Sequence, residues 1–555
     1  MKKVLLILIL VLFTKPNFGQ INSPSILWDT YFGGSEGDYG IKSTVDNVGN
    51  VYIIGHTSST SNISSSGAHQ QTFGGGYRDV FVAKFDSSGN LLWSTYYGGS
   101  GNEEGYGITT DANGNVFICG YTTSYSNIST SGCHQENYGG VRDAFVVKFN
   151  SNGERQWATY FGGSAGDGGM GICCDINGNI YIIGDTWSSN NIATNANHQS
   201  TIGGGQDVFI AKFNTDGVLL WSTYYGGNDN EYSENIKTDI NGNVIIIGYT
   251  KSTNAIASNG SHQSVYGDGD YDAFVAKFNT NGQLLWGTYY GGNDMDYGKD
   301  IAVDISGNIY VTGWTASTNA IASSGSHQSS YSGGYDAFLV KFNPNGVRSW
   351  GTYFGGNNLD QAQGIACDAQ GNIIMVGETA STNGIYTSGS LQNSLGGNND
   401  AFITMFNSNG VRKWGTYYGK SNFEVAWDII IDVNNKFYIT GQTSSANLVQ
   451  NPTHQSNYGG GTYDAFITKF QYDYTTNTVY NFKENDFQIF PNPCNNIITI
   501  TSEIKRNIKL LDLNGKTIEI LNISPGNNTI ILSLPSNYYF LQDVKTGKCN
   551  KLIIE

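Results

Sequence analysis

The sequence predicts an all-β repeat protein that ends in a smaller, separate β domain. Three observations predict it: a tryptophan recurs every 64 or 65 residues, each interval contains several alternating or β-branched runs, and the composition changes near residue 484. The recurring tryptophans are Trp28, Trp93, Trp157, Trp221, Trp286, Trp350 and Trp414. Because each lies before an aromatic pair on a predicted strand, we expect all seven to pack between neighbouring units.

Each repeat supplies four predicted strands. Typical stretches read LLWSTYYGG at 91–99, DIAVDISGNIYVTGWT at 300–315 and DAFVAKFNTNG at 272–282. The joins between them contain Asn-Gly or Ser-Gly pairs, which suit tight hairpins. Four antiparallel strands, repeated seven times, predict a seven-bladed β-propeller over residues 21–472.

The repeat begins and ends out of phase, which predicts how the ring closes. Residues 25–32 (SILWDTYF) form a tryptophan strand without its preceding partner, and residues 464–470 (DAFITKF) form that partner without a following tryptophan strand. Pairing the two would close the propeller by strand exchange between its termini and remove the exposed sheet edges.

The N-terminal residues predict a secretory signal peptide over 1–20. Lys2 and Lys3 precede an apolar run from Val4 to Phe13, which small and polar residues follow. Ten apolar residues are too few to span a bilayer, and no later segment is long and apolar enough.

The charge balance makes nucleic acid an unlikely class of partner. The 555 residues include 29 basic and 45 acidic side chains, which gives a net charge of -16. An acidic surface repels phosphate backbones, so cations or neutral polymers are more natural partners.

Together these motifs resemble the SBBP β-propeller repeat family. The shared pattern is W-TY-GG, then D-x-x-GN-x-Y-x-x-G-x-T, then GG-x-DAF-x-x-KF, and it recurs with local lapses over residues 28–470. The family carries no agreed activity, so the resemblance implies a surface propeller rather than a reaction.

Residues 484–555, after a linker at 473–483, resemble the type A C-terminal sorting domain of the type IX secretion system. The resemblance rests on PNP at Pro491–Pro493, DLNGK at Asp512–Lys516 and the terminal KLIIE, and it departs where SNYYF replaces the usual Gly-Tyr. It implies a small β-sandwich, contact with the type IX machinery, and secretion or display on the outer surface of a Gram-negative bacterium. Cys494 and Cys549 share this domain and are candidates for a disulfide.

Three sets of acidic residues recur. One set precedes the first hairpin turn of each unit, one opens the DAF strand, and both are expected to be structural. The third set lies five residues after the first glycine of each Gly-Gly pair, where hydrated acids need no metal but could hold calcium with loop carbonyls. Its members are Asp38, Glu103, Asp167, Glu231, Asp296, Asp360 and Glu424.

A recurring His-Gln pair has a leucine in the sixth copy and is expected to anchor a loop. More informative is the residue between Gly and Thr at the end of each second strand, because it varies inside a fixed frame. We therefore expect a binding rim made of His56, Tyr121, Asp185, Tyr249, Trp314, Glu378 and Gln442.

The leading functional hypothesis is a secreted or surface propeller that binds a polysaccharide or a protein without catalysis. The alternative is an extracellular lyase or glycosidase that uses Asp185 and Glu378 as acid and base, which requires carboxylates about 5–10 Å apart. A quinone-dependent enzyme is a weaker third candidate. No cofactor is implied with certainty; calcium is the one considered.

Overall fold

The protein is described here from a computed structural model. It describes residues 23–472, 488–490, 497–502, 505–512, 516–532, 534, 537–545 and 549–554. They form two compact units, one within residues 23–472 and one within residues 488–554. All regular elements of these segments are β-strands, and those of the first unit form four-stranded antiparallel sheets that are typical of propeller blades.

The first unit contains seven such sheets, numbered here in chain order. Sheet 1 contains β2 (Asp38–Val45), β3 (Val51–Thr57), β4 (Asp79–Phe85) and β5 (Leu91–Tyr97); sheet 2 contains β6 (Glu103–Thr110), β7 (Val116–Thr122), β8 (Asp143–Phe149) and β9 (Arg155–Phe161). Sheet 3 contains β10 (Asp167–Cys174), β11 (Ile180–Thr186), β12 (Asp207–Phe213) and β13 (Leu219–Tyr225); sheet 4 contains β14 (Glu231–Thr238), β15 (Val244–Thr250), β16 (Asp272–Phe278) and β17 (Leu284–Tyr290).

The remaining sheets follow the same order. Sheet 5 contains β18 (Asp296–Val303), β19 (Ile309–Thr315), β20 (Asp336–Phe342) and β21 (Arg348–Phe354); sheet 6 contains β22 (Asp360–Cys367), β23 (Ile373–Thr379), β24 (Asp400–Phe406) and β25 (Arg412–Tyr418). Sheet 7 contains β26 (Glu424–Ile431), β27 (Lys436–Thr443), β28 (Asp464–Gln471) and, as its fourth strand, β1 (Ser25–Phe32).

The predicted pairing between the two ends of the repeat region is present. Strand β1 runs antiparallel to β28, with Tyr31 opposite Phe466. The first strands of successive sheets contact one another, and β26 contacts β2.

The predicted hairpin turns are confirmed at the first join of each sheet. In sheet 1 the Asp46 carboxylate accepts hydrogen bonds from the backbone N–H groups of Val48 (3.1 Å) and Asn50 (2.8 Å). Gly49 has a φ of 88°, a conformation that glycine adopts without strain. The local sequence therefore closes this turn without tertiary contacts.

The first strand of every sheet carries one unpaired residue. In sheet 1, Gly40 pairs with Gly55 and Lys42 pairs with Ile54, which leaves Ile41 without a partner. The same register shift occurs in the other six sheets. A bulge of this kind turns a side chain away from the regular alternation. The seven bulge residues are Ile41, Tyr106, Met170, Glu234, Lys299, Gln363 and Trp427.

The hydrophobic cores lie between neighbouring sheets. One core joins Tyr52 and Ile54 of sheet 1 to Ile118 and Phe145 of sheet 2. Sheet 7 shares its core with sheet 1 in the same way, through Trp28 among others. Each sheet is therefore stabilised mainly by its two neighbours.

The recurring tryptophans reach the next sheet. Trp221 is 6% exposed, and its Nε1 donates a hydrogen bond to the Thr280 carbonyl at 3.1 Å. A Cβ on Gly282, whose φ is 78°, would lie 2.9 Å from the Trp221 ring. Trp414 departs from the pattern: its Nε1 is buried without a hydrogen-bond partner, and its ring lies 6.4 Å from that of Phe437.

The second unit contains two sheets. One contains β29 (Gln488–Phe490), β30 (Ile497–Ser502) and β33 (Gly526–Ile531); the other contains β31 (Arg506–Leu511), β32 (Thr517–Ile523), β34 (Asn537–Asp543) and β35 (Cys549–Ile554). Ile498 and Leu510 belong to one core that both sheets share. Arg506 and Asp543 form a buried ion pair at 3.0 Å. The predicted signal peptide, Pro491–Pro493, Cys494 and the side chain of Cys549 lie outside the described residues.

Candidate functional site

The seven bulge residues line a single cavity of about 380 Å³, called here the central cavity. Each comes from the first strand of a different sheet, so all seven sheets contribute one bulge residue to its wall. Its other lining residues are Tyr39, Lys42, His56, Arg78, Glu104 and Gln442. The backbone repeat thus forms the cavity, and the variable side chains decide its chemistry.

Aromatic rings form one side of the central cavity. The His56 ring lies 5.0 Å from the Tyr39 ring and 6.1 Å from the Tyr106 ring. The Arg78 guanidinium lies 4.6 Å from the centre of the Tyr39 ring, within the range of a cation–π contact. On sheet 7, Trp427 Nε1 donates a hydrogen bond to Gln442 Oε1 at 3.1 Å.

The charged side chains of the central cavity are paired. Arg78 and Glu104 form an ion pair at 2.8 Å, and Lys299 is paired with Glu234. Lys42 lies 3.1 Å from Asp428 and 3.7 Å from Asp300. Every cation that lines the cavity therefore has an acidic partner.

Three polar atoms of the lining have no hydrogen-bond partner. They are His56 Nδ1, Arg78 Nε and Gln363 Oε1, and all three are buried. His56 is 5% exposed and Gln363 is 6% exposed. Burial lowers the pKa of His56 to about 4, so its ring is neutral at pH 7 and offers one donor and one acceptor. Buried polar atoms are nearly always bonded, so three orphans in one lining are unusual.

One residue further along the first strands, polar side chains meet around a second, small cavity of about 30 Å³. Three sheets have glycine at this position, whereas the others have Lys42, Asn235, Asp300 and Asp428. Asp428 also accepts hydrogen bonds from the backbone N–H (2.9 Å) and hydroxyl (2.7 Å) of Ser43, and Asn235 donates to Asp300. Burial disfavours the charge on Lys42, but the two carboxylates raise its pKa.

The seven predicted rim residues all lie at the ends of second strands, opposite the second residue of each first strand. His56 and Gln442 line the central cavity. Asp185 Oδ1 accepts hydrogen bonds from the Ser233 backbone N–H and hydroxyl, both at 2.7 Å, and Glu378 accepts one from Asn399 at 2.9 Å. Burial raises the pKa of Asp185 to about 7 and also raises that of Glu378.

The other rim residues are aromatic and contact further rings. Trp314 stacks on Tyr297 with ring centres 3.9 Å apart, and Tyr249 lies 4.4 Å from Tyr297. Tyr121 lies 4.8 Å from the guanidinium of Arg142. These rings are half-buried, so part of each surface remains available to solvent.

The acids considered for calcium are not hydrated, which corrects the expectation from sequence. All seven are completely buried at the start of the first strands. The Asp38 carboxylate accepts hydrogen bonds from Gly34 N–H (2.7 Å), Ser59 (3.0 Å) and Thr57. Such donors surround a carboxylate in a way that does not suit a calcium ion. Within the described segments, no three histidine, cysteine, aspartate or glutamate side chains are grouped to hold a metal.

The bulge residues are functional candidates that the motif analysis missed. Their signal was available, because this position varies from isoleucine to tryptophan inside a fixed frame, as the rim position does. What the sequence alone did not reveal is the bulge, since it depends on the register between two strands.

Comparisons with known proteins agree with both units. Residues 92–128, 156–192 and 285–319 match the model of the SBBP β-propeller repeat, and residues 488–555 match that of a secretion system C-terminal sorting domain. The chain contains SBBP β-propeller repeats and a type IX sorting domain. The sorting domain indicates export to the cell surface or beyond it. The part of the chain that is described contains no helix able to cross a membrane.

Two relatives of the chain are distant in sequence. The chain is 24% identical over 547 residues to an uncharacterized WD repeat-containing protein L264 of Acanthamoeba polyphaga mimivirus, with 83% of this chain and 39% of that protein covered. It is 24% identical over 324 residues to the regulatory protein FlaEY of Caulobacter vibrioides, with 54% and 33% covered. The chain thus spans well under half the length of these relatives.

Solved structures resemble the chain only loosely. One is YCF48 bound to D1 peptide, at 8% identity and a TM-score of 0.40, with 83% of this chain and 100% of that chain covered. Another is the gluconolactonase XC5397 of Xanthomonas campestris, at 10% identity and a TM-score of 0.30, with 66% and 86% covered.

Proposed function

We propose that this protein is a non-catalytic, surface-exposed or secreted propeller that binds a polysaccharide through the face that carries the central cavity. In this proposal residues 1–20 direct the chain out of the cytoplasm, and residues 484–555 pass it to the type IX machinery. Residues 21–472 form a closed seven-bladed ring. The pairing of β1 with β28 and the contact of β26 with β2 support closure.

The proposed binding function rests on one observation: the strands and bulges are the same in all seven sheets, but the side chains that line the cavity differ. Seven bulge positions present seven different residue types to one concave surface. Packing alone would favour the same residue in every repeat, as at the recurring tryptophans. A concave site with aromatic walls and a few convergent polar groups is typical of ligand binding.

The chemistry of this face favours a polysaccharide. The ring of Trp314, which stacks on Tyr297, is half-buried and keeps part of its apolar surface exposed for contact with sugar rings, beside hydrogen-bonding groups for their hydroxyls. The net charge of -16 disfavours strongly anionic polymers. Asp185 and Glu378, which an enzymatic function would use, are engaged by Ser233 and Asn399.

Affinity electrophoresis of residues 21–555 tests the proposal. The gels contain dextran, laminarin, mannan, xylan or alginate, each with calcium and with EDTA. We expect retardation in at least one neutral gel, equal with and without chelator, and no change in polymer size. Retardation in none of them would contradict polysaccharide binding and leave a protein partner as the remaining candidate. Shortened polymer would indicate an enzyme.

A further inference from the structure

Three residues that line the central cavity each carry a buried polar atom without a hydrogen-bond partner, and these atoms indicate which polar groups a ligand there would satisfy. Gln363 Oε1 requires a donor and Arg78 Nε requires an acceptor. His56 Nδ1 requires an acceptor in one tautomer and a donor in the other. Gln363 lies on β22 of sheet 6, His56 lies on β3 of sheet 1 and Arg78 directly precedes β4, yet all three residues line one cavity. A single group that both donates and accepts, such as a hydroxyl, satisfies this combination.

The charges of the cavity indicate that the ligand is neutral. Arg78, Lys299 and Lys42 already have carboxylate partners. An anionic ligand would compete with those carboxylates, and a cationic one would compete with the side chains that they hold. These ion pairs are partly buried, and removing one partner would leave the other charge unpaired in the cavity wall, so an uncharged ligand is favoured.

Polar side chains close the space next to the central cavity. Lys42 extends from sheet 1 toward Asp428 of sheet 7 and Asp300 of sheet 5, and Asn235 of sheet 4 bonds to Asp300. The cavity among them holds only about 30 Å³, enough for water but not for a sugar ring. A polymer therefore has no passage through this level.

We infer that the central cavity binds one neutral, polyhydroxylated sugar residue end-on, as a chain end or a branch rather than an internal segment. The inference rests on the proposed function and deepens it. A volume of about 380 Å³ lies near the lower limit of small-molecule sites, roughly 300–1,000 Å³. Tyr39, Tyr106 and Trp427 flank the sugar ring, while His56, Arg78 and Gln363 bond to its hydroxyl groups.

Saturation-transfer NMR tests the inference with the whole chain 21–555 and six neutral sugars. These are glucose, galactose, mannose, xylose, fucose and N-acetylglucosamine. We expect transfer to at least one sugar, and that sugar should compete for retardation in the gel. Gln363→Met removes the orphan oxygen with little change in volume and should weaken binding by about tenfold. His56→Phe provides a second variant.

Gln283→Met is the matched control, because Gln283 is exposed in the turn between β16 and β17 and does not belong to the cavity lining. It should bind like the wild type. Two outcomes would overturn the end-on site and leave polysaccharide binding intact. One is polymer retardation without binding of any of the six sugars, and the other is unchanged sugar binding in Gln363→Met and His56→Phe. Sugar binding that Gln363→Met weakens, without retardation by any polymer, would support the site and contradict the proposed function. No retardation in the gels and no saturation transfer to any sugar would overturn both the end-on site and the proposed function.

Discussion

Two carboxylates lie close to the first glycine of each Gly-Gly pair, which explains why this position of the motif is glycine. A Cβ on Gly98 would lie 2.5 Å from Glu103 Oε2 and 2.6 Å from Asp79 Oδ1. The same arrangement recurs at Gly291, between Asp272 and Asp296. Glycine is required here because of the neighbouring side chains, and its φ is not in the left-handed region.

The acids that open the third strand of each sheet differ in one detail. Asp79, Asp272 and Asp464 follow their glutamine by nine residues, and Oδ1 of each is buried without a hydrogen-bond partner. Asp207 follows its glutamine by eight residues, and its Oδ1 accepts a hydrogen bond from Gly204 N–H at 3.2 Å. One extra loop residue therefore removes one donor.

Asp79→Asn should stabilise the protein in alkaline solution. Burial, with Glu103 nearby, raises the pKa of Asp79 from 3.8 to about 7. The folded state thus holds a proton that the unfolded state releases, so this contribution to stability is present below pH 4 and is lost as the pH rises through 7. Asparagine is always neutral, and we expect unfolding to cost about 1–2 kcal/mol more than in the wild type at pH 8, with little difference at pH 4. Urea unfolding at both pH values measures this.

Asp207→Asn is the matched control for that measurement. Its amide would direct N–H groups toward the donors Gly203, Gly204 or Gln199. We expect it to lower the free energy of unfolding by about 1–3 kcal/mol at either pH. Equal effects of the two substitutions would show that the missing donor at Asp79 has no influence.

At the scale of elements, the fourth strand of each sheet joins it to the next. In six of the seven sheets the tryptophan ring covers the glycine of the neighbouring hairpin, and its N–H donates a hydrogen bond to a carbonyl of the same hairpin; Trp414 is the exception. Each such strand therefore contributes both to its own ladder and to the interface between sheets.

Trp221→Ala should destabilise the protein by about 3–5 kcal/mol, because it removes a buried aromatic ring and leaves a cavity. Thermal and urea unfolding measure the change. Leu220→Ala on the same strand is the control, since Leu220 is 38% exposed and should cost far less. An unchanged melting temperature in Trp221→Ala would refute the docking role.

The sequence predicts a structural feature well when the interactions that form it join residues close together in the chain. The turn at Asp46 needs only Val48, Gly49 and Asn50, and the repeat predicts it directly. The burial of Asp38 depends on Thr57 at the end of β3 and on Ser59 just after it, so the expectation from sequence that this carboxylate is hydrated was wrong. Lys42 lies 386 residues from Asp428, and no periodicity reveals that pair.

For the molecule as a whole, the first strand completes the last sheet. Without β1, strand β28 would expose a row of unpaired backbone groups, which favours pairing with another chain.

Deletion of residues 21–32 should lower the melting temperature and cause self-association. Light scattering after size-exclusion chromatography measures the association, and the synthetic peptide Ser25–Phe32 should reduce it by occupying the free edge. A truncated protein that stays monomeric with the wild-type melting temperature would contradict closure by this strand.

The pairing of β1 with β28 also affects the order in which the sheets are completed during folding. Strand β1 is synthesised first, yet its partner appears more than four hundred residues later, so sheet 7 is the last to be completed. Pairing at such a sequence separation is slow because a long loop must close before any contact forms. Until that pairing forms, the last sheet has three strands, and β28 exposes an unpaired edge.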